Sequence, residues 1–352
     1  MGDVTGYDSA PDVALGLQLM AEHYPQMRTI SAEVIQGGGI KTLWKLDTSQ
    51  GVFCLKRIRK SIPIVDFTTA AQMYLRRKGA LVADIVPTKS GKPYFVHEGY
   101  ALVLYGWIEG TDLDMEEEAE HLEHGMAALG RFHRLSRGFV PPQAGETYDR
   151  MGAWPAHYAG MVANLKAWKQ SASSEAEPDE FCSLFLTGVD RAIRWGELAI
   201  DLLARSCYAS WVAEIGAYGY MCHQDYGKGN ALLTERGVYV LDLDNLAYDI
   251  PLRDVRKLIA KRMEELGTWD ADEIDRWVRV YGAEFPLTPE QVQVLYIDLL
   301  FPHHYYGICK NAFEKGKPGV AKKLGKSMRF EEGKVPVLER LLQVSLEGGD
   351  PE

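Results

Sequence analysis

The stretch His223-Gln224-Asp225-Tyr226-Gly227-Lys228-Gly229-Asn230 carries the pattern His-x-Asp-x4-Asn, and an apolar run that ends in Asp242 and Asp244 follows it. The chain between Asn230 and Asp242 has room for a hairpin, which we predict over residues 231–234 and 238–241. The two ends of a hairpin lie side by side. The pattern therefore predicts that Asn230 and Asp242 meet in space.

These side chains suit phosphoryl transfer. That reaction needs a carboxylate beside the acceptor hydroxyl and oxygen ligands that hold Mg²⁺ on the phosphates of a nucleotide. Asp225 is the candidate for the first role, and Asn230 and Asp242 are candidates for the second. Two acids at a strand end can also begin a turn, so Asp242 and Asp244 have a structural alternative at this stage.

Upstream of this stretch, the pattern indicates a small antiparallel sheet. Strands are predicted at residues 32–36, 42–47 and 52–58, with the glycine turn Gly37-Gly38-Gly39 after the first. Alternation along the third strand places Lys56 on one face with Cys54 and Ile58. Lys56 could then reach nucleotide phosphates while Cys54 lies against the base. The alternative is that Lys56 is a solvated strand charge.

The rest of the chain is predicted to be mainly helical. A helix at residues 67–78, capped by Asp66, and strands near residues 94–97 and 100–107 complete the first part. Helical signals dominate after Gly110, and a capping box at residues 288–291 predicts a long helix toward Lys310. We therefore predict an α+β fold with a small antiparallel-sheet lobe, residues 1–108, and a larger helical lobe, residues 109–352.

Composition narrows the classes of partner. The 352 residues carry a formal net charge of -10, and such a field repels nucleic acids and anionic membranes, so neither is an expected partner. The five cysteines are scattered, which disfavours a disulfide framework or a structural zinc site. The first residues lack the basic and apolar regions of a signal peptide, and we expect a cytoplasmic protein.

The motifs together resemble the eukaryotic-kinase-like superfamily, in particular its aminoglycoside and choline phosphotransferase branch. Within that branch the chain is most similar to the bacterial spore-coat CotS-type kinase-like proteins. The resemblance covers about residues 30–310. Beside His-x-Asp it rests on five motifs: Leu-Lys-Arg-Ile (55–58), Trp-Ile-Glu-Gly (107–110), Leu-Gly-Arg-Phe-His (129–133), Leu-Asp-Leu-Asp-Asn (241–245) and Pro-His-His (302–304).

This resemblance implies a bilobal protein-kinase-like fold that uses ATP and Mg²⁺. Asp225 would be the catalytic base that orients the acceptor hydroxyl, and Asn230 and Asp242 would bind the metal. Asp244 is the runner-up metal ligand, because strand alternation would place it on the same face as Asp242. The implied nucleotide-binding residues are Lys56 under the turn with Gly38 and Gly39, Cys54, and the backbone near Trp107 and Ile108.

One departure from the family pattern divides the functional hypotheses. No glutamate occurs between Arg57 and His97, where a helical partner for Lys56 is expected, and the helix offers Gln72 instead. The first hypothesis is an ATP-dependent phosphotransferase acting on a hydroxyl of a small molecule or sugar. The second is a catalytically weak or inactive kinase fold that serves as a structural component of the bacterial spore coat, with coat proteins as partners.

Overall fold

The computed structural model describes residues 13–36, 42–142, 147–175, 177–316, 321–344 and 346. The glycine turn, with Gly38 and Gly39, lies outside these residues. The chain forms two compact units that do not follow chain order. The first comprises the described residues up to Leu113 together with residues 131–148 and 223–247, and the second comprises residues 114–130, 149–222 and the chain from Tyr248 onward. The lobe boundary between residues 108 and 109 stays a prediction.

The first part of the chain is rich in strands. Its elements are α1 (Val13–His23), β1 (Thr29–Gln36), β2 (Thr42–Thr48), β3 (Gly51–Ile58), α2 (Ile62–Arg77), β4 (Ile85–Val86), β5 (Phe95–His97), β6 (Tyr100–Gly106) and β7 (Thr111–Asp112). The predicted strands are confirmed within a few residues at each end.

An antiparallel sheet dominates the first unit. Its strand order is β1-β2-β3-β6-β4, and β5 also pairs with β6. Strand β2 shows why the sheet forms here, because its burial alternates and Trp44 and Leu46 are fully buried on one face. Around them the apolar core contains Leu19, Met20, Tyr24, Leu55, Phe95, Leu102 and Leu104. In the strand order given above, β3 is the middle strand of the sheet.

Helix α2 begins earlier than predicted. It starts at Ile62, after Ser61, with Pro63 in its first turn, where a missing N–H has no intrahelical partner to lose. Asp66 is therefore not the N-cap, and its Oδ1 instead accepts a hydrogen bond of 2.6 Å from the Tyr94 hydroxyl. The helix ends before Gly79, which has a positive φ of 88° that glycine adopts easily.

Helices and short strands make up the rest of the chain. They are α3 (Ala119–Ser136), α4 (Trp154–Ser174), α5 (Glu180–Arg205), α6 (Tyr208–Ile215), β8 (Met221–Cys222), β9 (Ala231–Thr234), β10 (Gly237–Val240), a 3-10 helix (Leu243–Asn245), β11 (Ala247–Tyr248), α7 (Leu252–Leu266), α8 (Ala271–Glu284), α9 (Pro289–Leu300), α10 (His303–Phe313), α11 (Ala321–Gly333) and α12 (Val335–Leu342). None of the helices in the described ranges is long and apolar enough for a membrane crossing.

In the second unit, the capping box is confirmed and the long helix that was predicted to follow it is wrong. The Thr288 side chain accepts a hydrogen bond from the Gln291 N–H, and Gln291 Oε1 accepts one from the Thr288 N–H. Helix α9 ends at Leu300, because Pro302 cannot donate a helical hydrogen bond and restricts the residue before it. A separate helix, α10, continues to Phe313.

Candidate active site

Lys56 lies in the centre of the sheet of the first unit. In the strand register it is opposite Leu43 of β2 and Val103 of β6. Its side chain is only 7% exposed, and Nζ is 2.8 Å from Oδ1 of Asp242 and 2.7 Å from Oδ2 of Asp244. The alternative of a solvated strand charge is therefore wrong.

The two carboxylates decide the charge state of Lys56. Burial alone lowers the pKa of a lysine, because a low dielectric disfavours the ammonium form. The charges of Asp244 and Asp242 outweigh this effect and raise the pKa of Lys56 above its ordinary value. Lys56 is therefore a fixed cation, held by two acids.

Asp242 and Asp244 lie in a turn rather than in a strand. Strand β10 ends at Val240, Asp242 has a left-handed φ of 60°, and Asp244 lies within the 3-10 helix that follows. The prediction that strand alternation places both acids on one face is wrong. The alternative, that two acids at a strand end begin a turn, is confirmed. This turn brings both carboxylates to the same lysine.

The predicted hairpin is confirmed and joins the His-x-Asp-x4-Asn motif to this turn. Strands β9 and β10 are antiparallel, with Ala231 opposite Val240. Beyond this pair, the Leu241 N–H donates a 2.9 Å hydrogen bond to the Asn230 carbonyl oxygen. Because Asp242 is the next residue, Asn230 and Asp242 lie together at the open end of the hairpin, as the spacing predicted.

His223 braces the loop that carries Asp225. Its Nε2 is 2.7 Å from the Leu241 carbonyl oxygen, and its Nδ1 is 3.3 Å from the Asp225 backbone nitrogen. A proton on Nε2 satisfies both contacts, so both ring nitrogens are engaged. The Asn230 side chain adds a second tie, since Nδ2 donates to the Asp225 carbonyl oxygen at 2.9 Å.

A cavity of about 680 Å³ lies against these residues, entirely within the first unit. Its volume is that of an ordinary small-molecule site. Seven of the predicted site residues line it: Lys56, Cys54, Trp107, Ile108, Asp225, Asn230 and Asp242.

The predicted base-binding side of the cavity is formed by β3 and the segment after β6. The Trp107 N–H donates to the Val52 carbonyl oxygen at 3.1 Å, which fixes this segment beside β3. The Lys45 ammonium lies 4.5 Å from the Trp107 ring centroid. Burial raises the pKa of the Cys54 thiol to about 11, so this thiol is neutral at neutral pH.

The donor set of the cavity suits a hard divalent cation. Asn230 and Asp242 offer amide and carboxylate oxygens, which are the ligands that Mg²⁺ prefers. The Asn230 amide nitrogen is already used in the bond to Asp225, which leaves Oδ1 as the atom for a metal. The residues present therefore fit a magnesium ion.

The sequence of this chain matches one family over most of its length. The family model described as "Spore coat putative kinase YutH" matches residues 35–339. The chain belongs to this family. A curated relative, spore coat protein S of Bacillus subtilis strain 168, is 30% identical over 277 residues, which are 79% of this chain and 78% of the relative.

Solved structures establish the fold of this spore coat kinase-like protein. An aminoglycoside phosphotransferase from Alicyclobacillus acidocaldarius superimposes with a TM-score of 0.78 at 18% identity, covering 97% of this chain and 98% of that one. A spectinomycin phosphotransferase in complex with ADP and spectinomycin has a TM-score of 0.61 at 14% identity, covering 95% and 99%. The predicted α+β, protein-kinase-like fold is confirmed.

Two features of this site were not predicted from the sequence. Asp112 accepts a 2.8 Å hydrogen bond from the Gly229 N–H through Oδ1 and so ties the loop that carries Asp225 to β7. Its only signal in the sequence is an acid two residues after the Trp-Ile-Glu-Gly motif. The second feature is the role of Asp244 as a partner of Lys56. Gln72, which was considered for that role, donates its Nε2 to the Ala83 carbonyl oxygen at 2.7 Å.

Proposed function

We propose that this protein is an ATP- and Mg²⁺-dependent phosphotransferase whose acceptor is a hydroxyl group of a small molecule or sugar. One observation carries the proposal: four groups predicted for this chemistry line a single cavity, namely Lys56, Asp225, Asn230 and Asp242. Phosphoryl transfer needs little covalent chemistry from the protein, so a site that supplies position and charge is sufficient.

Each side chain has one task in the proposed reaction. Lys56 neutralises the nucleotide phosphates, and its two carboxylate partners hold its ammonium at the cavity wall. Asp225 is exposed and lines the cavity. It accepts a hydrogen bond from the acceptor hydroxyl and takes its proton as the phosphoryl group is transferred. Asn230 and Asp242 hold Mg²⁺, which when bound neutralises charge on the phosphates.

The remaining cavity residues support binding of the nucleotide base. Cys54, Trp107 and Ile108 line one side of the cavity, and we place the adenine ring against them. The related spectinomycin phosphotransferase was solved with ADP and spectinomycin, which supports a nucleotide and a small polar acceptor here.

The decisive experiment replaces Asp225 with asparagine in the full-length protein. We expect Asp225→Asn to lower turnover by about two to four orders of magnitude, because a positioned general base contributes that much. Affinity for a non-hydrolysable ATP analogue should stay within about threefold, since Asp225 contacts the acceptor and not the nucleotide. Turnover is measured as ADP release over a panel of sugars and small alcohols, and affinity by calorimetry.

Asp47→Asn is the matched control, because Asp47 is an exposed aspartate of β2. It should leave both turnover and affinity unchanged. Equal turnover in the Asp225→Asn variant and the parent protein would remove Asp225 from the reaction.

We also propose that this protein associates with the bacterial spore coat. The family model and the curated relative both carry spore coat in their descriptions, which supports this location. A fluorescent fusion produced in sporulating Bacillus subtilis should form a ring around the forespore. A diffuse signal in the mother cell would contradict the association. A protein that forms the ring and binds Mg²⁺ and nucleotide, yet transfers no phosphate to any acceptor, would be a coat scaffold.

A further inference from the structure

The two acids that contact Lys56 are not equivalent in their surroundings. Asp242 lines the cavity and its side chain is 16% exposed. The Asp244 side chain is 7% exposed, and Asp244 is not one of the described residues that line the cavity. A metal or phosphate in the cavity therefore reaches Asp242 before Asp244.

Asp244 also lies in a short helix that contacts other elements of the first unit. It lies inside the 3-10 helix Leu243–Asn245, against which helix α2 packs. The next residue, Asn245, accepts a 2.9 Å hydrogen bond from the Lys60 ammonium. Lys56 and Lys60 thus bind adjacent residues of this short helix, which fixes Asp244 relative to the strand that carries Lys56.

The helix after β3 does not supply a competing charge. Its one acid, Asp66, accepts a hydrogen bond from Tyr94. Gln72 is neutral and donates its Nε2 to a backbone carbonyl. A buried ammonium needs a counter-charge at every stage of a reaction, because an isolated buried charge costs several kcal/mol.

We propose that Asp244 is a positioning residue that stays paired with Lys56 when nucleotide binds, which releases Asp242 for the metal. Asp244 thereby takes the place of the helical glutamate that this chain lacks. The inference rests on the proposed phosphotransferase function, but the Lys56–Asp244 pair can be measured without any activity. The negative charge that helix α2 does not offer to Lys56 is then supplied by the 3-10 helix.

The first measurement uses the nucleotide-free protein. Asp244→Asn should lower the melting temperature by several degrees in the parent protein and by less than half as much in a Lys56→Met background. An equal loss in both backgrounds would mean that the two side chains are not coupled, and it would overturn the proposal.

The second measurement separates positioning from metal binding by following ATP turnover as Mg²⁺ is varied. Asp242→Asn should raise the Mg²⁺ concentration at half-maximal turnover at least tenfold. Asp244→Asn should lower kcat about tenfold to a hundredfold while that Mg²⁺ concentration stays within threefold. A tenfold Mg²⁺ shift in Asp244→Asn would make Asp244 a metal ligand and overturn the proposal.

The conservative variant keeps the charge at residue 244. Asp244→Glu should retain at least tenfold more kcat than Asp244→Asn, because a carboxylate remains available to the Lys56 ammonium. Equal kcat in the two variants would count against a role through Lys56. If the parent protein shows no turnover at all, the proposed function fails, and the melting-temperature comparison alone decides whether Asp244 is the standing partner of Lys56.

Discussion

Each of the two units buries a lysine, and the difference between the two lysines separates a functional site from a structural one. Lys56 in the first unit contacts Asp242 and Asp244 beside a cavity. Lys334 in the second unit forms an ion pair with the buried Glu331 and donates a hydrogen bond of 3.1 Å to the Phe301 carbonyl oxygen. One lysine has two acids and adjacent space, whereas the other has a single acid and is enclosed.

The pKa values of the two lysines move in opposite directions. For Lys334, burial lowers the pKa, and the single charge of Glu331 only partly offsets it. For Lys56, burial has the same sign, but Asp244 and Asp242 together reverse the outcome. A surplus of acid over base beside a cavity leaves a negative site for a cation, while a matched pair leaves none.

Removing each lysine in turn tests this comparison most directly. Lys334→Met should lower the free energy of unfolding by about 3 kcal/mol, because Glu331 keeps two backbone N–H donors, from His304 and Tyr305, but loses its cation. Lys56→Met should cost about 1–2 kcal/mol, since water or a cation can reach the carboxylate of Asp242 through the cavity. Urea unfolding of both variants measures the difference.

Added Mg²⁺ should affect the stability of the two lysine variants differently. Added Mg²⁺ should recover part of the lost stability in Lys56→Met and none in Lys334→Met, because only the first removes the lysine cation from an acid, Asp242, that lines a cavity. The double variant Lys334→Met/Glu331→Gln is the control for an unpaired buried charge and should be more stable than Lys334→Met alone. Equal losses of unfolding free energy in the two single variants, with no response to Mg²⁺, would contradict the proposed difference between the two lysine sites.

The next effect is the pH dependence of the second unit. Burial raises the pKa of Asp249 to about 7, although the hydrogen bonds that Asp249 accepts from the Ile250 N–H and from Trp154 Nε1 lower it. Arg253 lowers this pKa and Asp254 raises it further. Because the folded-state pKa lies above that of the unfolded chain, the folded state keeps its proton while the unfolded state loses it.

Stability should therefore fall as the pH rises from about 4 to about 7, by up to about 4 kcal/mol from this group. Asp249→Asn keeps an oxygen acceptor for both hydrogen bonds and should flatten that slope. Unfolding free energies at several pH values test this. A variant with the same pH dependence as the parent would show that Asp249 is ionised in the folded protein.

The smallest expected effect concerns Cys54, which lines the cavity and yet should be unreactive. With a pKa of about 11, its thiolate fraction at pH 8 is about a hundredfold below that of an ordinary thiol. Iodoacetamide labelling, followed by peptide mass spectrometry, should therefore be slow, and an ATP analogue with Mg²⁺ should slow it further. Cys54→Ser is the control for peptide assignment, and labelling as fast as that of a free thiol would contradict the raised pKa of Cys54.

The sequence predicted the parts of this site that depend on short spacing. The interval between Asn230 and Asp242 predicted a hairpin, and strands β9 and β10 form it. Alternation along β3 predicted that Lys56 and Cys54 share a face, and both line the cavity. Local rules suffice here, because turn geometry and the two-residue repeat of a strand act over a few residues.

Predictions failed where the path of the backbone changed direction. Strand alternation was extended past Val240, although Asp242 turns the chain with a positive φ. The helix after Thr288 was extended through Pro302, where it ends. In both places the regular pattern in the sequence continues past the end of the element. The strand ends before Asp242, which has a left-handed backbone conformation, and the helix ends before Pro302.

By itself the sequence determined the antiparallel sheet, the helical remainder, the hairpin and the His-x-Asp-x4-Asn motif. Only the tertiary structure decided which charge faces Lys56. Asp244 is far from Lys56 along the chain, and no propensity or spacing rule connects two residues so far apart. Their contact depends on sheet register, on the turn at Asp242 and on burial, which together make a paired ammonium more favourable than an isolated one.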